Sequence, residues 1–132
     1  MPTIWTFDGH GQRKEFEAEP FYGFLLFNRQ RYPDEIYQNN YPYELFTPDG
    51  LVAIMDFETL EEAKDAATTE IDLIPATPIK VLHSAVNEYI GQIGKAFCYS
   101  QVTGHYLVAL EQKTELTVIG WYLEKSLELN SI

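Results

Sequence analysis

YELFTPDGLVAIMDFETLEEAKDAATTEI, residues 43–71, reads as strand, turn, strand and helix in that order. Residues 43–47 are extended. Pro48-Asp49-Gly50 makes the turn, because glycine reaches backbone angles that other residues avoid. Residues 51–57 return as a strand. Thr59-Leu60-Glu61-Glu62 then fits a capping box, the Thr59 hydroxyl accepting from the Glu62 amide and the Glu62 carboxylate reaching back. Ala63, Ala66 and Ala67 favour helix. Leu60, Ala63, Ala67 and Ile71 form an apolar stripe at helical spacing. Glu61, Glu62 and Asp65 sit early in the helix, where its dipole favours negative charge. A one-faced helix that follows a strand pair buries its stripe on their sheet.

Working outward, residues 3–7 and 14–18 alternate polar and apolar around the turn Asp8-Gly9-His10-Gly11. This is a hairpin, with Trp5 and Phe7 on one side of its first strand and Phe16 and Ala18 opposite Glu15 and Glu17 on its second. Residues 21–27 form a continuous aromatic-aliphatic run that suits one central strand buried on both faces. Residues 28–40 read as a polar loop with one helical turn at residues 34–37. Beyond residue 71, Pro75 and Pro78 end the helical region, residues 79–82 are a short strand, and residues 84–93 show helical spacing at Ala85, Val86, Tyr89, Ile90 and Ile93. Three β-branched and aromatic strands follow over residues 95–99, 105–111 and 116–123, joined through residues 101–104 and 112–115. The expected fold is α+β: a mainly antiparallel sheet of about six strands, with one or two helices packed on one face. At 132 residues the natural domain count is one, spanning residues 1–132.

The chain holds 20 acidic residues against 9 basic, a net charge of −11, yet 14% of it is aromatic. Acidic disordered segments lack aromatics, so the charge belongs to a folded surface. That field repels phosphates, and no Lys/Arg run overrides it, which disfavours direct nucleic-acid binding and anionic membranes. The acid is uneven: residues 1–66 hold 13 acidic and 5 basic residues, residues 67–132 hold 7 and 4. Cys98 is the single cysteine, so no internal disulfide forms, and its neighbours Ala96, Phe97 and Tyr99 mark it as a small buried apolar residue. No apolar stretch approaches a membrane span, and Met1-Pro2-Thr3-Ile4 lacks the features of a secretory leader, so the expected location is cytoplasmic.

No cofactor-binding or catalytic motif is present. His10, His83 and His105 lack metal-ligand spacing, and GxGxxG, GxxxxGK[ST] and GxSxG are absent. No catalytic residue, cofactor or metal is therefore assigned, and an enzyme is disfavoured. Two features stand out. Glu15, Glu17 and Glu19 lie at period two, on one face of a continuous strand. Residues 32–44 gather four of the nine tyrosines among prolines, amides and acids, and tyrosine suits recognition loops. The first functional expectation is an inhibitor or adaptor that engages a basic protein surface through Glu15, Glu17, Glu19, Asp34, Glu35, Tyr37, Tyr41 and Tyr43. Its carboxylates would present phosphate-like charge, mimicking nucleic acid. The alternatives are a small-ligand or carbohydrate-binding domain, or a motif-less enzyme, with a pocket lined by Tyr37, Tyr41, Tyr43 and a tryptophan, and a homo-oligomer subunit that buries the edge around residues 117–122.

Overall fold

The structure, a computed structural model, describes residues 2–111 and 118–129. The chain divides into two compact units, Met1–Thr69 and Glu70–Ile132. The fold is α+β and mostly antiparallel, but the expected sheet of about six strands is replaced, among the described residues, by eleven strands in three sheets.

In the first unit, β1 (Thr3–Phe7) and β2 (Arg13–Glu17) form the expected hairpin, with Ile4 opposite Phe16. Only Ala18 separates β2 from β3 (Glu19–Phe21), the first strand of a second sheet. That sheet runs in the order β3, β4 (Phe24–Asn28), β5 (Tyr43–Phe46), β6 (Ala53–Phe57), antiparallel throughout. Ile4, Phe16 and Ala18 pack with Leu25, Phe27, Phe46 and Ile36, so the hairpin covers one face of the four-stranded sheet. Helix α1 (Leu60–Asp65) lies against β5 and β6 and continues as a π turn over Ala66–Glu70. Half of the expected capping box forms: the Thr59 hydroxyl accepts from the Glu62 amide at 3.2 Å, and no described bond returns from the Glu62 carboxylate.

Two readings of this unit are corrected. Residues 21–27 are two strands, not one. Tyr22 (φ 50°) and Gly23 (φ 88°) both take left-handed backbone and close a two-residue hairpin between β3 and β4. β4 alone is buried on both faces. The buried helical stripe is Ala63, Ala66 and Ala67, while Leu60 is exposed and Ile71 belongs to the next strand. On β1, Trp5 and Phe7 share one face as expected; it is the outer face, and Ile4 faces the core.

The second unit is one antiparallel sheet in the order β10 (Val118–Leu123), β9 (His105–Leu110), β8 (Ile93–Ser100), β7 (Ile71–Val81), β11 (Leu127–Leu129). Its core is Ile79, Val81, Ala96, Val108, Leu110 and Leu127. Pro75 and Pro78 lie within β7, not at a helix end. The register with β8 shifts between Leu73 and Thr77, which absorbs Pro75. Pro78 lies opposite Lys95 of β8, just before Ile79–Val81, the stretch that pairs with β11. The expected helix over residues 84–93 is also absent. Only Asn87–Tyr89 makes a 3-10 turn, and Val86, Ile90 and Ile93 are exposed. The expected connection 112–115 and the first residues of the last strand, 116 and 117, lie outside the described residues.

One contact sets how the hairpin meets the sheet. Gly50 has φ 75°, and a Cβ there would sit 2.1 Å from the Thr3 carbonyl oxygen. Gly11 has the same backbone, φ 76°, in open space. Gly11→Ala therefore costs only the left-handed strain, about 1–2 kcal/mol. Gly50→Ala adds a backbone clash and should cost at least about 3 kcal/mol. Urea unfolding of both variants measures the difference.

Candidate functional site

The outer face of the hairpin follows from its register. Thr3 pairs with Glu17, Trp5 with Glu15 and Phe7 with Arg13. Side chains alternate along a strand, so turning Ile4 and Phe16 inward turns these six outward. Trp5 is 38% and Phe7 50% exposed. The Arg13 guanidinium stands 5.6 Å from the Trp5 ring centroid, a cation–π contact. Sequence reading chose Glu15 and Glu17 here but passed over Trp5 and Phe7. The usable signal was Ile4 next to Trp5, the β1 residue that matches Phe16 in the hairpin.

The expected row Glu15, Glu17, Glu19 is broken. Glu19 belongs to β3, in the other sheet, and pairs with Arg31 at 2.6 Å. Glu35 is likewise engaged, with Lys14 at 3.0 Å. Arg29 pairs with Glu44 at 3.1 Å, and Lys64 stands 6.0 Å from the Tyr22 ring centroid. All five cations of the first unit thus have an internal acid or ring. Glu15, Glu17 and Asp34 form no ion pair among the described residues.

A groove of about 160 Å³ opens where the hairpin meets the second sheet. Leu26, Ala18, Tyr43 and Leu60 supply its apolar lining; Glu17, Glu19, Arg31 and Asn28 supply the polar one. It collects Glu17, Glu19 and Tyr43 from the expected set. Pockets for drug-sized ligands span roughly 300–1,000 Å³, so this one fits a side chain rather than a cofactor. The expected pocket of Tyr37, Tyr41, Tyr43 and a tryptophan does not assemble: Tyr37 is 76% exposed, Tyr41 is exposed, and only Tyr43 lines the groove.

The tyrosine-rich segment is tied down at several points. Tyr32 stacks on Phe27 and meets Phe16 edge-on, with centroids 5.8 and 5.0 Å away. Ile36 is buried, and its amide donates to the Tyr32 carbonyl at 3.0 Å, closing a turn over residues 33–35 in place of the expected helical turn at residues 34–37. The Gln38 side-chain amide donates to the carbonyls of Arg29 and Ile36 at 2.8 and 3.1 Å. Asp34 and Glu35 are both exposed on this segment.

Three further groups bear on chemistry. His10 is exposed in its turn, where the Asp8 carboxylate accepts from the His10 and Gln12 amides at 2.8 and 2.9 Å. The Gln12 amide, the larger influence, holds Asp8 below the usual carboxylate range. Cys98 is buried, and burial pushes its thiol up to about 12, as expected of a packing residue and not a nucleophile. Among the described residues, no three His, Cys, Asp or Glu gather as metal ligands, and no helix is long and apolar enough to cross a membrane. The chain matches no family model, no curated protein and no solved structure.

Cys98 and the Arg29–Glu44 pair each carry a prediction. Native protein at mildly alkaline pH should leave Cys98 unalkylated by iodoacetamide, and unfolding in urea should release full reaction; mass spectrometry reads the adduct. The second concerns Glu44, which is mostly buried. Burial holds its carboxyl above the usual range, outweighing Arg29, and Asp56 across the ladder adds to the rise. Arg29→Met leaves that carboxylate uncompensated and should cost about 3–5 kcal/mol near neutral pH. A folded-state pKa above the unfolded one means that the native protein binds the proton more tightly, so stability rises as pH falls through the folded value. The loss in Arg29→Met should accordingly shrink at acidic pH, as urea midpoints across pH would record.

Proposed function

We propose that the first unit is a docking surface for a basic segment of a partner protein, centred on the outer face of the β1–β2 hairpin. One observation carries this reading. Trp5 and Phe7 stand exposed on the same strand face as Glu15 and Glu17, whose carboxylates have no cation of their own among the described residues. Surfaces that recognise cationic side chains join those two elements: aromatic rings that take a cation over their face and carboxylates that take its charge. Trp5 already holds a guanidinium, that of Arg13. The groove beside Glu17 extends the surface, with Leu26, Leu60 and Tyr43 for an aliphatic stem and Glu17 and Glu19 for its charged head.

The broken acidic row weakens the finer expectation of nucleic-acid mimicry. A phosphate-like run needs successive free charges, and Glu19 is neutralised by Arg31. A short segment that mixes basic and apolar residues fits the surface better than an extended phosphate-binding groove does.

The test uses a peptide alternating Lys or Arg with apolar residues, titrated by fluorescence polarisation. Glu15→Lys/Glu17→Lys should weaken binding by at least about tenfold, because like charges then face each other. Trp5→Ala should cost about 2 kcal/mol, as an aromatic anchor does, without changing the salt dependence. Glu61→Lys/Asp65→Lys makes the same change in net charge on α1 and should have little effect. Equal losses in the two double variants would mean that only net charge matters, and would sink the proposal.

A further inference from the structure

A sheet edge is a row of open backbone donors and acceptors, and proteins guard edges with charge, proline, bulges, shortness or cover. The edges of this chain can be compared on those terms. The Trp5 amide of β1 is covered, donating to the Gly50 carbonyl at 2.9 Å. β2 carries Arg13, Lys14, Glu15 and Glu17. β3 has three residues, with Pro20 in the middle. β6 carries Asp56, and its register with β5 is broken by an irregularity. The part of β7 before its described pairing with β11 holds Pro75, Pro78 and a register shift, and β11 carries Glu128.

β10 has none of these devices. Its six residues, Val118-Ile119-Gly120-Trp121-Tyr122-Leu123, include no charge and no proline. Its register with β9 runs unbroken from Val118–Leu110 to Leu123–His105. It is the outer strand of its sheet, and no other described segment bonds to its backbone. Ile119 and Leu123 are exposed at this edge.

We propose that β10 is a self-association edge: two copies of this chain pair their β10 strands antiparallel about a two-fold axis, joining their sheets. The strand is apolar read from either end, so it complements itself. Pairing centred on Gly120 sets Val118 against Tyr122 and Ile119 against Trp121, β-branched against aromatic side chains on the same face. Charge also favours a second copy at this place. The chain carries −11, but residues 70–132 contribute only 7 acidic and 4 basic residues against 13 and 5 in residues 1–69. Two copies meeting at β10 therefore meet through the less acidic unit. Isologous contacts of this kind close into a dimer and do not propagate. A single strand pair is a small interface, so the dimer dissociates on dilution. This inference does not rest on the hairpin surface proposed above.

Sedimentation equilibrium of the full chain, from micromolar to millimolar concentration, should give a reversible monomer–dimer equilibrium. Hydrogen exchange at residues 118–123 should slow as concentration rises. Ile119→Lys places a charge on the edge and should raise the dimer dissociation constant at least about tenfold. Leu123→Lys should do the same and carries the test if the first variant unfolds. Leu51→Lys, at an exposed leucine in the first unit, should leave the constant unchanged. Added salt should not weaken the dimer, since the contact is uncharged. A monomer at every concentration overturns the proposal. So does a dimer that survives both lysine variants, or exchange that slows only outside residues 118–123.

Discussion

The Trp5 amide donates to the Gly50 carbonyl at 2.9 Å, and the absence of a Gly50 side chain lets the two backbones come that close. The contact joins β1 to the turn between β5 and β6. The turn has its own internal support, the Asp49 carboxylate accepting from the Thr47 hydroxyl at 2.6 Å and from the Leu51 amide at 3.0 Å. With β1 held there, the period of a strand leaves one choice of faces. Ile4 goes into the core with Phe16, Leu25, Phe27 and Phe46, and its neighbours go out. Exposure of Trp5 is thus a consequence of burying Ile4. Burying a side chain of that size is worth about 1.5–3 kcal/mol, and a slip of one residue would exchange the two faces entirely.

The same geometry decides which acids are free. β2 ends at Glu17 and β3 begins at Glu19, so one alanine carries the chain from one sheet to the next. A row of carboxylates that would repel one another on one strand is thereby divided. Glu19 falls within reach of Arg31, which follows β4 in a 3-10 turn. That pair is about half exposed, and such pairs contribute about 0–1 kcal/mol. Its effect is on charge placement more than on stability, because it leaves Glu15 and Glu17 as the uncompensated part of the row.

Much of the fold was legible where local signals agree with tertiary need. The Thr59 hydroxyl cap, the Pro48-Asp49-Gly50 turn and the first hairpin rest on chemistry within a few residues, and they form, though the returning half of the capping box from Glu62 does not. The misreadings share a cause: local pattern yielded to distant partners. Nothing in the run from Phe21 to Phe27 announces a turn except Gly23, and a tyrosine in left-handed backbone is rare enough to hide it. Pro75 and Pro78 read as breakers because strand prolines depend on which edge is open, a property of the neighbouring strands. Residues 84–93 show helical spacing, but that spacing predicts a helix only when an apolar surface receives the stripe; here Val86, Ile90 and Ile93 are exposed. Of the expected site residues, Glu17, Glu19 and Tyr43 meet at the groove because β2, β3 and β5 converge there, which spacing in the chain does not encode.

The buried pair of Arg29 and Glu44 is hard to justify as a source of stability. Burial raises the Glu44 carboxyl above its usual range despite the guanidinium 3.1 Å away, and the Arg29 Nε is buried without a hydrogen-bond partner among the described residues. Apolar residues of similar volume often serve as well or better in such places. What the pair does supply is geometry. Arg29 stands just after β4 and Glu44 lies within β5, so the ion pair joins the two ends of the tyrosine-rich loop, beside the bond from the Arg29 amide to the Pro42 carbonyl at 2.8 Å. Gln38 then reaches back from the middle of the loop to the Arg29 carbonyl at 2.8 Å. A long loop closed at its mouth and tied at its centre has little conformational freedom left to lose on binding. Tyr37 and Tyr41 are therefore exposed on a constrained frame, and any contact they make costs less ordering entropy than the length of the loop would imply.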